Sequence, residues 1–227
     1  MNSAPLGPQQ GLNVLHLFCH ANGAINADQI RHATNEGLAQ GLQIIPVAIM
    51  GAKADLCFMV LGADLWQMRT FQTALTNAGL DVTSSYVSVT EVSEYAKGMP
   101  EHMLNERLHP VLPPEGMKAW CFYPMSKRRG EVNNWYAEEY ERRKELMSQH
   151  GQSGKEFRGR VIQLVTGSSG LDDWEWGVTL FGVHVDDLKD CVYTMRFDEA
   201  STLYGEFGEF YTGMVGSVDE VLSATTA

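Results

Sequence analysis

The hydrophobic positions along the chain follow a strand period and a helix period in turn. Apolar runs bounded by turn residues predict strands, and apolar stripes at three- and four-residue spacing predict helices. Asn26 and Gly79 are residue types that commonly begin and end a helix. The predicted order in the first part of the chain is strand 12–21, helix 26–42, a hairpin of strands 44–51 and 54–62, helix 64–79 and strand 84–95.

The second part of the chain repeats this order of elements. The pattern predicts strand 118–125, helix 134–151, a hairpin of 160–170 and 174–183, helix 185–205 and strand 206–218. The segment ADLCFMVLGADLWQMRTFQTAL matches DWEWGVTLFGVHVDDLKDCVYTM as strand, glycine, acidic cap and helix. Because element order and length agree as well as residue type, a repeat is favoured over chance similarity. We expect an α+β fold of two fused ferredoxin-like βαββαβ units.

A proline-rich segment separates the two predicted units. Residues 97–117 hold four of the eight prolines and predict a linker with a short helix over 101–107. Residues 1–11 predict a loose tail, so the first unit spans 12–96 and the second 118–227. Two such units packed through their sheets would leave a cavity between sheet and helices, which is a natural small-molecule site.

Charge and composition narrow the function. The formal net charge of −11 argues against nucleic acid and against an anionic membrane surface as main partner. No long apolar run predicts a transmembrane helix, and the first residues lack the features of a signal peptide. The four cysteines are far apart, without a CxxC pair, and predict buried free thiols. A cytoplasmic location is therefore expected.

Three consecutive cations stand out in this acidic chain, within CFYPMSKRRGEVNNWY. On charge alone, a solvated turn explains Lys127, Arg128 and Arg129 best. However, Tyr123, Met125 and Lys127 share one strand face if the strand continues. A phenol, a thioether and an ammonium on one face would suit a flat aromatic ligand that carries a carboxylate.

His150 is the second candidate. It closes the predicted helix 134–150 and shares an apolar stripe with Tyr136, Tyr140, Arg143 and Met147. It either interacts with the helix dipole as a C-terminal histidine or points inward as a metal ligand. No second histidine or cysteine follows at helical spacing, so a closed zinc site has little support and a single axial ligand to haem iron remains an alternative.

Arg196 and Ser201 are candidate donors to a second carboxylate. The ordinary alternative for Arg196 is an ion pair with Asp198 or Glu199. The nucleophile elbow, the HExxH zinc motif and the dinucleotide fingerprint are all missing from the sequence, so an ordinary hydrolase and a Rossmann enzyme have no support.

Several motifs together resemble one known family. CFYPMSKRR, NWY, GRVIQLVTGSSGLDDWEWGVTLF, MRFDEAS and YGEFGEFYTG, which span nearly all of 118–214, resemble the coproheme decarboxylases of the chlorite-dismutase-like superfamily. Residues 12–95 match only in fold. The resemblance implies a dimeric α/β-barrel and usually a homopentamer. It implies that iron coproporphyrin III is both substrate and redox cofactor, and that hydrogen peroxide is the oxidant. Two propionates leave as carbon dioxide, through a mono-decarboxylated intermediate, to give haem b.

The resemblance also implies residue roles. It makes His150 the axial iron ligand and Tyr123 the tyrosine whose radical abstracts hydrogen from a propionate. The other matching positions are Met125 and Lys127 for one propionate, Arg196 and Ser201 for another, and Trp135 near the second reacting position. Gln163 stands in the distal pocket where chlorite-decomposing relatives carry arginine, which favours decarboxylation.

One departure concerns the linker. ERLHP places His109 where many relatives have tyrosine, and actinobacterial-type members use a distal histidine to deprotonate peroxide. We favour His109 as this base, with His102 as the alternative and an exposed linker histidine as the ordinary interpretation. Three rival functions remain: a chlorite-decomposing or peroxidase-type relative that keeps its haem, a non-enzymatic haem carrier or sensor, and a haem-free monooxygenase.

Overall fold

The first half of the chain has the predicted order of elements, although the strand expected over 84–95 runs from Asp81 to Thr90. The computed structural model describes residues 4–96 and 98–225. Its first elements are β1 (Asn13–His20), α1 (Ala27–Ala39), β2 (Gln43–Ile49), β3 (Leu56–Gly62), α2 (Leu65–Asn77) and β4 (Asp81–Thr90). The strands are antiparallel in the order β4-β1-β3-β2, which is the ferredoxin-like order. Asn26 and Asp64 begin the two helices, because each side chain accepts a hydrogen bond from the first turn.

The second half repeats this arrangement with more irregular connections. After α3 (Glu101–Leu108) come β5 (Ala119–Lys127), a 3₁₀ helix (Trp135–Ala137), α4 (Tyr140–Lys155), β6 (Val161–Gly167), β7 (Trp176–Gly182), α5 (Val185–Met195), α6 (Glu199–Tyr204), β8 (Gly205–Phe207), β9 (Tyr211–Val215) and α7 (Val218–Thr225). The main strands lie in the order β9-β5-β7-β6, which corresponds strand for strand to β4-β1-β3-β2 of the first half. The predicted α+β class and internal repeat are confirmed.

The two halves join edge to edge. Strand β4 pairs with β6, and β2 pairs with β9, so eight strands form a continuous circuit. The inside of the circuit is packed with large side chains, including Phe18, Trp120, Phe122, Phe181 and Met59. Since these residues leave little room inside, a ligand site has to lie on the outer face of the sheet, beneath the helices.

Three predicted elements differ from the structure. The helix expected over 134–151 begins later and continues to Lys155, because Asn134 caps a separate 3₁₀ turn and Trp135 N–H is bonded to Arg128, just after β5. The helix expected over 185–205 is two helices separated at Arg196–Asp198. The strand expected over 206–218 is two short strands, β8 and β9, followed directly by a helix that the sequence analysis missed.

The C-terminal helix and the linker both pack on the first half. Val221 and Leu222 of α7 lie in the core formed with α1 and α2. Gln43 of β2 donates to the carbonyl of Pro110 and accepts from the N–H of Leu112. The four cysteines are buried and free, as predicted. Within 4–96 and 98–225, no helix is both long and apolar enough to cross a bilayer.

The seam between β2 and β9 provides a test of the fold. A Cβ added to Gly213 would overlap the carbonyl oxygen of Ala48, a backbone atom that is fixed by strand pairing. We expect Gly213→Ala to lower the free energy of unfolding by about 2 kcal/mol in urea denaturation. Gly151→Ala is the matched control, since its Cβ would meet nothing within 4 Å. It should stabilise α4 by about 1 kcal/mol. Equal unfolding midpoints for Gly213→Ala and wild type would contradict the tight seam.

Candidate functional site

The helix-facing side of β5 carries the predicted phenol, thioether and ammonium. Tyr123 and Met125 pack into the apolar layer between the second sheet and α5, and Lys127 follows on the same face. The Tyr123 ring stacks on Phe210 with centroids 4.3 Å apart. Burial raises the pKa of Tyr123, helped by two neighbouring thiols and opposed by Arg196. The phenol is therefore protonated and lies in a largely apolar environment.

The hydroxyl of Tyr123 lies at an accessible edge of the apolar layer. The side chain is 8% exposed, yet none of the hydrogen bonds among the described residues involves its hydroxyl group. This hydroxyl is thus free to bond to a polar group of a ligand that enters the apolar layer.

Lys127 is a buried ammonium with few partners. Its Nζ donates to the carbonyl of Ala200 at 3.1 Å and lies 4.6 Å from the centre of the Trp135 ring. The side chain is 7% exposed, and burial lowers its pKa to about 8, an effect that Glu175 opposes. An ammonium has three donors, and a buried charge is stable only with adequate partners. The geometry therefore suits an anion at Lys127.

The other two cations of the cluster are already neutralised. Arg129 lies 3.4 Å from Glu175, and Arg128 lies 3.4 Å from Glu206. The Arg129 guanidinium also lies over the Tyr136 ring. The solvated turn that charge alone suggests is thus correct for these two arginines, and only Lys127 faces the layer beneath the helices.

His150 lies within α4 and not at its end, since the helix continues for five more residues. Its Nδ1 lies 3.0 Å from a carboxylate oxygen of Asp198, whose other oxygen accepts from Ser153. Burial lowers the pKa of His150, as does the charge of Lys127. A neutral imidazole that donates through Nδ1 keeps its Nε2 lone pair for a metal, which is the usual arrangement of a histidine ligand.

Arg196 lies at the break between α5 and α6, and Ser201 lies in the first turn of α6. The predicted alternative partners of Arg196 are engaged elsewhere: Asp198 bonds to His150, and Glu199 bonds to Arg142. No ion pair in the described parts of the chain includes Arg196. Its guanidinium lies 4.0 Å from the centre of the Phe207 ring, beside the Tyr123 environment. The Arg196 guanidinium is thus available to donate hydrogen bonds to a carboxylate of a ligand beside Tyr123.

Gln163 of β6 lies where the sequence predicts a cavity. Its amide nitrogen contacts the sulfur atoms of Cys191 at 3.4 Å and Met195 at 3.6 Å, both on α5. Gly154 of α4 packs against the same amide. Sheet and helices are therefore in contact at this point, and a flat ligand would enter by displacing the flexible Met195 side chain.

The structure does not bring the two linker histidines to this site. His102 and His109 lie on and just after α3 and are exposed. The residues on either side of His109 are bonded to the first half, through Thr90 and Gln43. No contact within the described parts of the chain joins either histidine to Tyr123 or Lys127, so the role of a distal base stays a prediction.

Two acidic residues were missed in the sequence analysis. Asp198 appeared there only as a partner for Arg196, whereas it orients His150. Glu175 is almost fully buried and binds both the Lys127 N–H and the Arg129 side chain. A glutamate between two tryptophans in the WEW tripeptide was the one available signal for a buried acid.

Lys127 yields a prediction about stability. Its folded-state pKa of about 8 lies below the ordinary 10.5, so the unfolded chain binds this proton more tightly. The unfolding free energy of the wild type should therefore rise between pH 8 and 10.5. We expect apo Lys127→Met to be more stable than wild type at pH 7, by up to about 3 kcal/mol, and to lose this advantage at high pH. Urea denaturation at both pH values measures the difference.

Lys118→Met is the control, because Lys118 is exposed and paired with Glu220. It should show no such pH-dependent difference from wild type. A Lys127→Met protein that is less stable than wild type at pH 7, with an unchanged difference at high pH, would show that Lys127 is fully compensated in the free protein.

Comparison with known proteins shows the family to which the chain belongs. The chlorite dismutase family model matches residues 24–216. A coproheme decarboxylase of Staphylococcus carnosus is 41% identical over 177 residues, which cover 74% of this chain and 70% of that protein. A protein of Natronomonas pharaonis, named as a candidate heme-binding protein, is 40% identical over 197 residues, or 79% of this chain. The match covers 32% of that longer protein.

Solved structures give the same result. A heme-binding protein from Thermus thermophilus superposes with a TM-score of 0.87 at 30% identity, covering 99% of this chain and 100% of that one. A variant chlorite dismutase from Candidatus Nitrospira defluvii superposes with a TM-score of 0.78, covering 97% and 98%; at 18% identity it shows likeness of fold alone. The resemblance found in the sequence is thereby confirmed, and the chain belongs to the chlorite dismutase family.

Proposed function

We propose that this protein is a coproheme decarboxylase, which converts iron coproporphyrin III to haem b with hydrogen peroxide. The observation that carries the proposal is the face of β5, where a buried phenol without a hydrogen bond among the described residues and a buried ammonium in need of an anion lie on one strand. The 41% identity to the Staphylococcus carnosus coproheme decarboxylase supports the same substrate. The iron porphyrin, as substrate, supplies the redox chemistry with peroxide.

The residues fit an iron porphyrin with several carboxylates. His150 offers Nε2 to the iron while Asp198 holds its other nitrogen. Lys127, with Met125, binds one propionate, and Arg196, with Ser201, binds another. The partner of a desolvated carboxylate fixes the orientation of the macrocycle as well as its affinity. Trp135 lies at the Lys127 side of the site, where the second reacting position would be.

After losing one electron and its hydroxyl proton, Tyr123 as a neutral radical would take a hydrogen atom from the propionate that faces it and so become a phenol again. Apolar side chains surround the ring, and the hydroxyl has no competing partner among the described residues. Each round consumes one propionate, one peroxide and one proton, and gives one vinyl group, one carbon dioxide and two waters. Two peroxides per porphyrin complete the reaction through a mono-decarboxylated intermediate.

Gln163 favours this reaction over chlorite decomposition. An anionic oxidant such as chlorite needs positive charge on the distal side, whereas hydrogen peroxide is neutral. Gln163 is an uncharged amide bonded to two sulfur atoms. A haem carrier or sensor is the second rival, and it would use Tyr123 and Trp135 only as walls of the pocket. A cytoplasmic location and a homopentamer stay part of the proposal, as the family resemblance implies.

The test is a peroxide titration of the protein loaded with iron coproporphyrin III, followed by mass spectrometry of the porphyrin. We expect two successive losses, complete near two peroxides per porphyrin. Tyr123→Phe should bind the porphyrin and slow decarboxylation by at least about 100-fold. Tyr211→Phe, a buried tyrosine stacked on Phe18 inside the strand circuit, is the control and should react normally. Bleached or unchanged porphyrin in the wild type would point to a carrier or a peroxidase.

The distal base has its own test. If His109 deprotonates peroxide, His109→Ala should slow the reaction with peroxide by about 100-fold, and raising the pH toward the pKa of peroxide should restore the rate. His102→Ala is the comparison, since this exposed histidine lies on the helix that His109 ends. Stopped-flow absorption of the loaded protein measures both rates. Wild-type rates in both variants would remove the linker histidines from the mechanism.

A further inference from the structure

Tyr204, at the end of α6, has a feature that the proposed mechanism does not use. The side chain is 4% exposed, and its hydroxyl donates a 2.7 Å hydrogen bond to the Glu138 carboxylate. This bond raises the pKa of Tyr204 to about 12. The ring makes an edge contact with Trp135, with centroids 5.2 Å apart. A buried phenol is thus placed between an oxidisable indole and a built-in proton acceptor.

Local charge determines which of Trp135 and Tyr204 is the more easily oxidised. The Lys127 ammonium lies 4.6 Å from the centre of the Trp135 ring. A cation there stabilises the neutral indole and opposes the positive charge of an oxidised one. Tyr204 can instead lose an electron while its proton moves to Glu138, so that no net charge forms on the buried ring. Oxidation that reaches Trp135 should therefore pass to Tyr204.

We propose that Tyr204 and Glu138 form a second redox site, which removes oxidising equivalents that fail to reach a propionate. In this step Tyr204 gives one electron through Trp135 to the oxidised porphyrin site. The Tyr204 hydroxyl proton moves to Glu138, which leaves a neutral tyrosyl radical and a neutral carboxylic acid. A small one-electron donor of the ascorbate class returns the electron, and Glu138 returns the proton. The inference rests on the proposed function.

A line of aromatic rings leads from this site toward the surface. Tyr95 lies 6.5 Å from Trp135, and Tyr140 stacks on Tyr95 at 5.8 Å, measured between ring centroids. Tyr140 is partly exposed. Contacts of this length between rings allow an electron from a soluble donor to enter at Tyr140 and reach Trp135.

Tyr123 and Tyr204 differ in the one property that separates the two roles. Both are buried, and both lie beside the site. The Tyr123 hydroxyl has no acceptor among the described residues, so its oxidation depends on a substrate carboxylate. Tyr204 carries its own acceptor and can be oxidised when no substrate carboxylate is in place, as after the second decarboxylation.

The experiment uses the protein loaded with haem b, which has no propionate left to react at these positions. One equivalent of peroxide is added, and the radical is recorded by electron paramagnetic resonance with deuterated tyrosine. A nitroso spin trap and peptide mass spectrometry locate it. We expect a tyrosyl radical at Tyr204 in the wild type and its loss in Tyr204→Phe and in the isosteric Glu138→Gln. Ascorbate should remove the wild-type signal.

Tyr86→Phe is the matched control, because its buried hydroxyl is bonded to Ser168 and not to a carboxylate. It should keep the radical. An undiminished signal in both Tyr204→Phe and Glu138→Gln would overturn the inference. The porphyrin masses from the coproporphyrin titration are a separate readout: their failure removes the decarboxylase proposal, whereas the haem b radical reports on Tyr204 directly.

Discussion

The burial of one ammonium group organises the site. Lys127 ends the long strand β5, and three separate elements close around it: the 3₁₀ helix with Trp135, the start of α6 with Ala200, and the loop before β7 with Glu175. The shift of its pKa to about 8 corresponds to roughly 3 kcal/mol of unfavourable burial at neutral pH. An unpaired buried charge of this kind is consistent with a binding role, since the carboxylate of a bound ligand would offset the unfavourable burial of the ammonium.

The repeat explains why the site lies in the second half. In the first half, α1, α2 and α7 cover the outer face of the sheet with an almost wholly apolar core. The corresponding face of the second half carries Lys127, His150 and Gln163 between sheet and helices. The C-terminal helix α7 packs on the first half and not on the second. The outer face of the second sheet is therefore covered by fewer apolar side chains. One unit thus provides stability, and the other is free to accommodate polar chemistry.

The parts of this arrangement that follow from local pattern could be predicted from the sequence. The strand parity of Tyr123, Met125 and Lys127 and the repeated order of elements follow from the pattern of neighbouring residues alone. The partners of the functional groups could not be predicted in this way. His150 and Asp198 are 48 positions apart, and Tyr204 and Glu138 are 66 apart. Both pairs depend on the break between α5 and α6, which a continuous helical pattern concealed.

The same break links the two kinds of oxidisable tyrosine. By ending α5 at Met195 and starting α6 at Glu199, the chain brings Asp198 to His150, Ala200 to Lys127 and Tyr204 to Trp135. One short segment thereby orients His150, partners the buried Lys127 and places the Tyr204 phenol against Trp135. If the proposed reaction is to oxidise only Tyr123, the substrate propionate must be oriented toward this residue. Oxidising equivalents that do not reach the propionate must then be reduced at another residue. Residues 198–204 contact both His150 and Trp135, so in the proposed mechanism this turn would connect substrate placement with protection from the oxidant.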